Sequence, residues 1–98
     1  MLDAQSKPAN LRAISDERLT VVALQALVWT LDDAGRARRL LDLTGLTAEG
    51  LRAGAADPAV LAALLDFLTA HQPDLIACAD AIGVDPAELI RAREALAS

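Results

Sequence analysis

The sequence predicts an all-α protein, a compact bundle of five or six short helices around a buried first helix. A hydrophobic residue, a helix-capping residue and a second hydrophobic residue four positions beyond the cap recur three times. These three sets are Ile14-Ser15…Leu19, Leu46-Thr47…Leu51 and Val84-Asp85…Leu89. Each is a hydrophobic staple over an N-cap, which marks the first turn of a helix. No segment alternates long enough for a strand, and only two residues are aromatic.

The first helix is expected to run from Asp16 to about Leu31, with Ser15 as its N-cap. From Leu19 to Leu31 the chain carries no charge, and hydrophobic residues cover nearly the whole circumference. A helix that is apolar all round is usually buried all round. This segment is therefore predicted to be the central helix of the bundle.

Aspartate, proline and glycine predict the boundaries of the later helices. The expected starts are Asp32-Asp33, Thr47, Asp57-Pro58, the region of Pro73, and Asp85-Pro86. Gly45 and Gly83 are each expected to end a helix in the left-handed conformation, just before the next hydrophobic residue and cap. The corners at these two glycines resemble those of helix-turn-helix proteins.

Length and composition predict one domain, with a mobile N-terminal tail over residues 1–13 and a single helical domain over residues 14–98. The net charge of −5 and the pI near 4.6 disfavour nucleic acid and anionic membranes as partners. The single cysteine excludes an internal disulfide, the N-terminus lacks a signal-peptide core, and the longest uncharged run is too short to span a bilayer. We therefore expect a soluble cytoplasmic protein.

The sequence predicts neither an enzyme nor a metal or cofactor site. His71, the only histidine, is placed in the last turn of the fourth helix, where a cation suits the negative end of the helix dipole. Cys78 is expected to be a small buried hydrophobe. The acidic residues read as caps, first-turn residues or solvated positions such as Asp74, and no phosphate-binding, nucleophile or metal-ligand motif is present.

A non-enzymatic protein-interaction or adaptor module is therefore the first hypothesis, with an unknown protein partner or a second copy bound. Trp29 is the residue expected at an interface, since an indole is useful to a partner when only half covered. Arg36 and Arg39 belong to the densest positive cluster, which is either a solvated helix face or a docking patch for an acidic partner.

Two alternatives remain open. The pattern around Gly83 permits a helix-turn-helix DNA-binding regulator, in which Arg91 and Arg93 would contact DNA. Asp85 and Pro86, at the start of that recognition helix, suit phosphate and base edges badly. A small apolar ligand between the helices is a third possibility, because alanine-rich packing can leave gaps.

Three segments together resemble a known family. They are the apolar first helix, LLDLTGLTAEGLRA and DPAVLAALLDFL, and the resemblance covers roughly Ser15 to Ala97. The chain resembles a small bacterial family called domain of unknown function 3572. The resemblance implies a compact helical protein with no assigned activity or cofactor, so it transfers no functional residue.

Overall fold

The computed structural model describes the backbone of residues 2–55 and 57–97 and the side chains of residues 17–55 and 57–96. Within these ranges the chain forms six helices and no strand, which confirms the all-α prediction. The helices are α1 (Leu2–Leu31), α2 (Ala34–Thr44), α3 (Ala48–Ala53), α4 (Pro58–Thr69), α5 (Gln72–Ile82) and α6 (Pro86–Ala97).

The start of α1 differs from the prediction. The sequence placed it at Asp16 with Ser15 as the cap, and this is wrong, because α1 begins at Leu2 and Ser15 lies inside it. Leucine, alanine, glutamine, lysine and arginine fill most of the stretch before Ser15, and all of them favour helix. The side chain of Ile14, assigned to a staple, lies outside the described residues.

The predicted caps of α2, α3 and α4 are confirmed. The side chains of Asp33, Thr47 and Asp57 each accept a hydrogen bond of 2.9 Å from a backbone N–H in the first turn of the following helix. Each bond satisfies a donor that the helix itself leaves without a partner. These caps act over two or three residues, so their position follows from the local sequence.

Gly45 and Gly83 end α2 and α5 in the left-handed conformation, with φ of 73° and 75°. After Gly83, the N–H of Val84 donates to the carbonyl of Ala79 at 2.9 Å. This bond satisfies one of the last carbonyls of α5. The glycine therefore fixes the corner at which α6 leaves α5.

Replacing Gly83 by valine is expected to lower the free energy of unfolding by about 1–2 kcal/mol. No heavy atom lies within 4 Å of the position that a Cβ would occupy there, so the cost comes from backbone strain and not from a clash. Gly83→Asn is the control, because asparagine tolerates positive φ better than a β-branched residue. Urea denaturation followed by circular dichroism measures both variants, and equal losses would contradict the backbone explanation.

The corner between α4 and α5 corrects the prediction for His71. The structure ends α4 at Thr69, so His71 is not in its last turn but is the N-cap of α5. Pro73 explains the difference, since proline favours the first turn of a helix and thereby sets the start of α5 close behind α4. The two helices are bent by 115° here, and only as a pair do they match a membrane span in length and composition; no single described helix does.

The buried core centres on α1 and α4. On α1, the buried side chains belong to Val22, Ala23, Ala26, Leu27 and Thr30. On α4 they belong to Leu61, Leu64, Leu65, Phe67 and Leu68. The small alanines of α1 permit close helix approach, and α1 contacts α2, α4, α5 and α6.

The expectation that α1 is buried on all sides is wrong. Val21 is 52% exposed and Val28 is 69% exposed, although both lie within the uncharged segment of the helix. Four neighbouring helices cover one side of α1, and the described part of the chain supplies nothing that covers these two valines. An apolar side of the central helix is left facing water.

Candidate functional site

The uncovered side of α1 forms an uncharged stripe in which three of four residues are apolar. Val21, Leu24, Gln25 and Val28 are three or four residues apart and therefore share one helix face. The two valines and Gln25 are exposed, and Leu24 is half-buried against the core. We call these four residues the α1 stripe. None of them is charged, which distinguishes this face from an ordinary solvated helix surface.

A second wall turns the α1 stripe into a groove. Ala81 and Ile82 of α5 stand beside it, and it is bordered by Trp29 on α1 and by Asp32, which directly follows α1. The resulting α1–α5 groove, lined by the stripe and these four residues, has a volume of about 650 Å³. This size lies in the range of binding clefts, and the lining is mostly apolar. The groove is therefore the candidate interaction surface.

Trp29 is half-buried at the edge of this groove, and Arg36 holds it there. The Arg36 guanidinium lies over the indole, 3.7 Å from the ring centroid, which is a cation–π contact. Its Nη2 donates a 2.7 Å hydrogen bond to the carbonyl of Trp29, one of the last carbonyls of α1. The structure thus brings these two predicted residues together.

Arg36 has a different role from the one predicted. The sequence offered it as part of a solvated face or a docking patch, but its side chain is half-buried and caps α1. Its own N–H is capped in turn by Asp33 at 2.9 Å. Arg36 therefore locks the corner between α1 and α2 and fixes the orientation of Trp29. It is a positioning residue for the groove.

Arg39, the third predicted residue, is held elsewhere by an ion pair. Its guanidinium lies 3.2 Å from the Oδ2 of Asp74 on α5 and 6.0 Å from the centroid of the Phe67 ring. His71 Nδ1 lies 3.0 Å from the same oxygen. The Asp74 side chain is only 14% exposed, so its predicted solvated position is wrong. The Arg39 guanidinium stabilises a carboxylate that packing partly removes from water.

A second cleft, of about 680 Å³, lies between α2 and α4. Its described lining consists of Arg39, Leu43, Thr44, Ala63, Asp66, Phe67, Ala70 and His71. The charged members are already paired within the chain, since Arg39 contacts Asp74 and Asp66 contacts Arg93. Because these charges hold helices together, this cleft is a weaker candidate than the α1–α5 groove.

Arg91 and Arg93, the residues of the DNA-binding alternative, do not share a surface. Residues that are two positions apart in a helix point in directions about 200° apart around its axis. Arg93 donates a hydrogen bond to Asp66 on α4, and this bond raises the pKa of its guanidinium above the usual range. Arg91 borders a small depression near Arg18 and Glu88, which form an ion pair of 3.0 Å. DNA binding stays a hypothesis that this arrangement does not favour.

A comparison with models of known protein families shows which family the chain belongs to. A family model described as a protein of unknown function, DUF3572, matches residues 16–98, which is most of the chain. The chain belongs to the DUF3572 family. All residues that line the α1–α5 groove of this DUF3572 protein lie within the matched region. No curated protein and no solved structure gives a significant match.

Metal and thiol chemistry are the remaining features of this DUF3572 protein. Among the described residues, no group of three or more histidine, cysteine, aspartate or glutamate side chains is placed to hold a metal ion. Cys78 is fully enclosed, and burial raises the pKa of its thiol to about 11. Such a thiol remains protonated and unreactive near neutral pH.

Proposed function

We propose that this protein is a non-enzymatic protein-interaction module and that it binds its partner in the α1–α5 groove. The observation that carries the proposal is the exposure of Val21 and Val28 on the helix that otherwise centres the core. Full burial of such a side chain contributes about 1.5–3 kcal/mol relative to exposure in water. A partner that covers the stripe would gain this free energy.

The edge of the groove supports the same proposal. Tryptophan is enriched among the residues that dominate binding energy, and Trp29 borders the apolar stripe. The cation–π contact and the 2.7 Å hydrogen bond from Arg36 restrict the movement of this region before a partner arrives. A surface held in its binding geometry loses less conformational entropy on association. Trp29 and the two valines are therefore the expected anchors.

The setting we propose is the bacterial cytoplasm. The one cysteine, Cys78, is a free thiol enclosed in the core, and a reducing compartment keeps such thiols free. The acidic net charge favours a protein partner over nucleic acid, since non-specific nucleic-acid binding depends on a positive surface. Localisation of the full chain by fractionation tests this part of the proposal separately.

Photo-crosslinking tests the proposed surface. A photoreactive phenylalanine derivative is introduced at Gln25, an exposed position in the middle of the stripe, and the intact chain is irradiated in cells. We expect discrete protein adducts, and we expect the added exchange Val28→Asp to abolish them by placing a charge in the apolar contact. Because Val28 is exposed, this exchange should leave the helical circular dichroism unchanged.

The matched control places the same photoreactive group at Ile90, which is 40% exposed on α6, away from the groove. Adducts at this position should be absent or insensitive to Val28→Asp. Absence of adducts at Gln25, or adducts there that persist in the Val28→Asp chain, would overturn the proposed surface.

A further inference from the structure

We infer that the α1–α5 groove binds the same groove of a second copy of this chain, with the two α1 helices antiparallel. The inference rests on the proposed function and names the partner that the function leaves open. It would make the protein a homodimer with a twofold axis, in which both copies use one surface patch. Three features of the chain support this dimer: the residue spacing on α1, the charges beside it and the second wall of the groove.

Spacing gives the first argument. Val21, Leu24, Val28 and Leu31 follow one another at intervals of three, four and three residues, which is the seam of a two-stranded coiled coil. Val21 and Val28 are exposed, Leu24 is half-buried, and Leu31 is 40% exposed. The chain thus leaves about three turns of coiled-coil seam wholly or partly exposed to water. A second helix with the same seam is a complementary occupant.

Charge selects the direction of the second helix. Arg18, Gln25 and Asp32 are seven residues apart, so they lie along one flank of the seam. An antiparallel arrangement centred beside Gln25 sets Arg18 of each copy against Asp32 of the other, and the two Gln25 amides can exchange hydrogen bonds. A parallel arrangement would instead set this flank against the opposite flank of the seam, so that Arg18 and Asp32 would not meet.

The flanking charges are accessible for this pairing. The Arg18 side chain is 64% exposed although it also contacts Glu88, and Asp32 is exposed. In the same register Val21 of each copy lies within one residue, about 1.5 Å along the axis, of the level of Val28 in the other. The two exposed valines of the stripe thus cover each other, and each gains an apolar neighbour.

The wall formed by α5 fits a helix as the occupant. Ala81 is small, so it permits a second helix to approach to the usual interaxial distance of about 8–10 Å. Ile82 on the same wall would contact the flank of that helix. The twofold axis repeats this contact in the other copy, so the interface extends beyond the two α1 helices.

Sedimentation of the purified chain tests dimerisation. We expect the 10.3 kDa chain to sediment as a dimer, and we expect Val28→Asp to raise the dissociation constant at least about 100-fold while leaving the helix content unchanged. Ile90→Asp is the matched control, because it places the same charge on an exposed apolar position outside the groove. The control should remain a dimer.

Disulfide cross-linking tests the antiparallel register, in chains that carry Cys78→Ala. In the Gln25→Cys chain, the new cysteine should form a disulfide with the same cysteine of the second copy, because position 25 lies beside the twofold axis. Val28→Cys alone should not, since the two positions 28 stand about 9 Å apart along the axis at 1.5 Å per residue, beyond disulfide reach. A mixture of Val21→Cys and Val28→Cys chains should cross-link to each other.

Each contrary result has a distinct meaning. A wild-type chain that stays monomeric, with photo-adducts at position 25 to a different protein, overturns the homodimer and leaves the proposed function standing. A monomer without adducts overturns both. A dimer that persists in the Val28→Asp chain, or in which Val28→Cys cross-links to itself, overturns the antiparallel interface.

Discussion

Leu27→Ala is expected to lower the free energy of unfolding by about 2–5 kcal/mol, the range of buried leucine truncations. Leu27 is 4% exposed and lies on the buried face of α1 with Val22, Ala23 and Ala26. Because the Leu27 side chain is almost fully enclosed, its truncation should leave a cavity in the core, which adds to the lost transfer free energy.

Leu24→Ala is the matched comparison for that truncation. The same exchange on the same helix should cost clearly less, because Leu24 is only half-buried and borders the groove. From the sequence, both positions were expected inside the bundle; the structure confirms this for Leu27 and corrects it for Leu24. Urea melts at a chain concentration low enough to populate the monomer separate folding from association. Equal losses for the two variants would contradict this assignment of the buried face.

Raising the pH from 9 to 11 is expected to remove about 2 kcal/mol of stability through Cys78. Burial raises the pKa of this thiol from 9.0 to about 11, with Asp74 adding to the rise and Arg36 opposing it. The unfolded chain releases the thiol proton near pH 9, whereas the folded chain keeps it until about pH 11. The contribution is therefore fully present below pH 9 and is lost as the pH rises through 11.

Cys78→Ala is the control for the alkaline effect, because it removes the titrating group. Its stability should lie below that of the native chain near neutral pH, from lost packing, but should change less between pH 9 and 11. Few other side chains titrate between pH 9 and 11, because the chain has no tyrosine and its only lysine is Lys7. Parallel stability curves for the two chains across this pH range would show that the thiol does not control the effect.

The order of the helices and most of their boundaries could be predicted because caps act locally. Asp33, Thr47, Asp57, Gly45 and Gly83 each determine a helix end through atoms at most a few residues away. All the residues that form each cap therefore lie within a short stretch of the sequence. The start of α1 failed for a related reason: a cap residue such as Ser15 marks a helix end only where the preceding residues do not continue the helix.

The contacts around the candidate site were less predictable, because they join distant parts of the chain. Nothing near Asp74 in sequence indicates that Arg39 from α2 lies 3.2 Å away, or that Arg93 reaches Asp66 on α4. A sequence shows a cluster of arginines but not which acidic residue the fold brings to each. The partial exposure of Trp29 was predictable, since a large side chain in an apolar helix exceeds what so few helices can cover.

The α1 stripe could be predicted only in part from the sequence. The uninterrupted apolar surface of α1 predicted burial on all sides with Trp29 as the one interface residue, whereas Val21 and Val28 are exposed and Trp29 is half-buried. Which side of α1 stays open depends on where α2, α4, α5 and α6 pack, and that is a property of the whole fold.

The contact between Arg36 and Trp29 gives the molecule an optical reporter of its own. Trp29 is the only tryptophan and the chain has no tyrosine, so near-ultraviolet emission arises almost wholly from one indole at the edge of the groove. Covering that ring should shift its emission to shorter wavelengths and shield it from iodide quenching. Occupation of the groove would thus be detectable in the fluorescence spectrum of the unlabelled protein. Arg36→Gln would alter the same signal without any partner present.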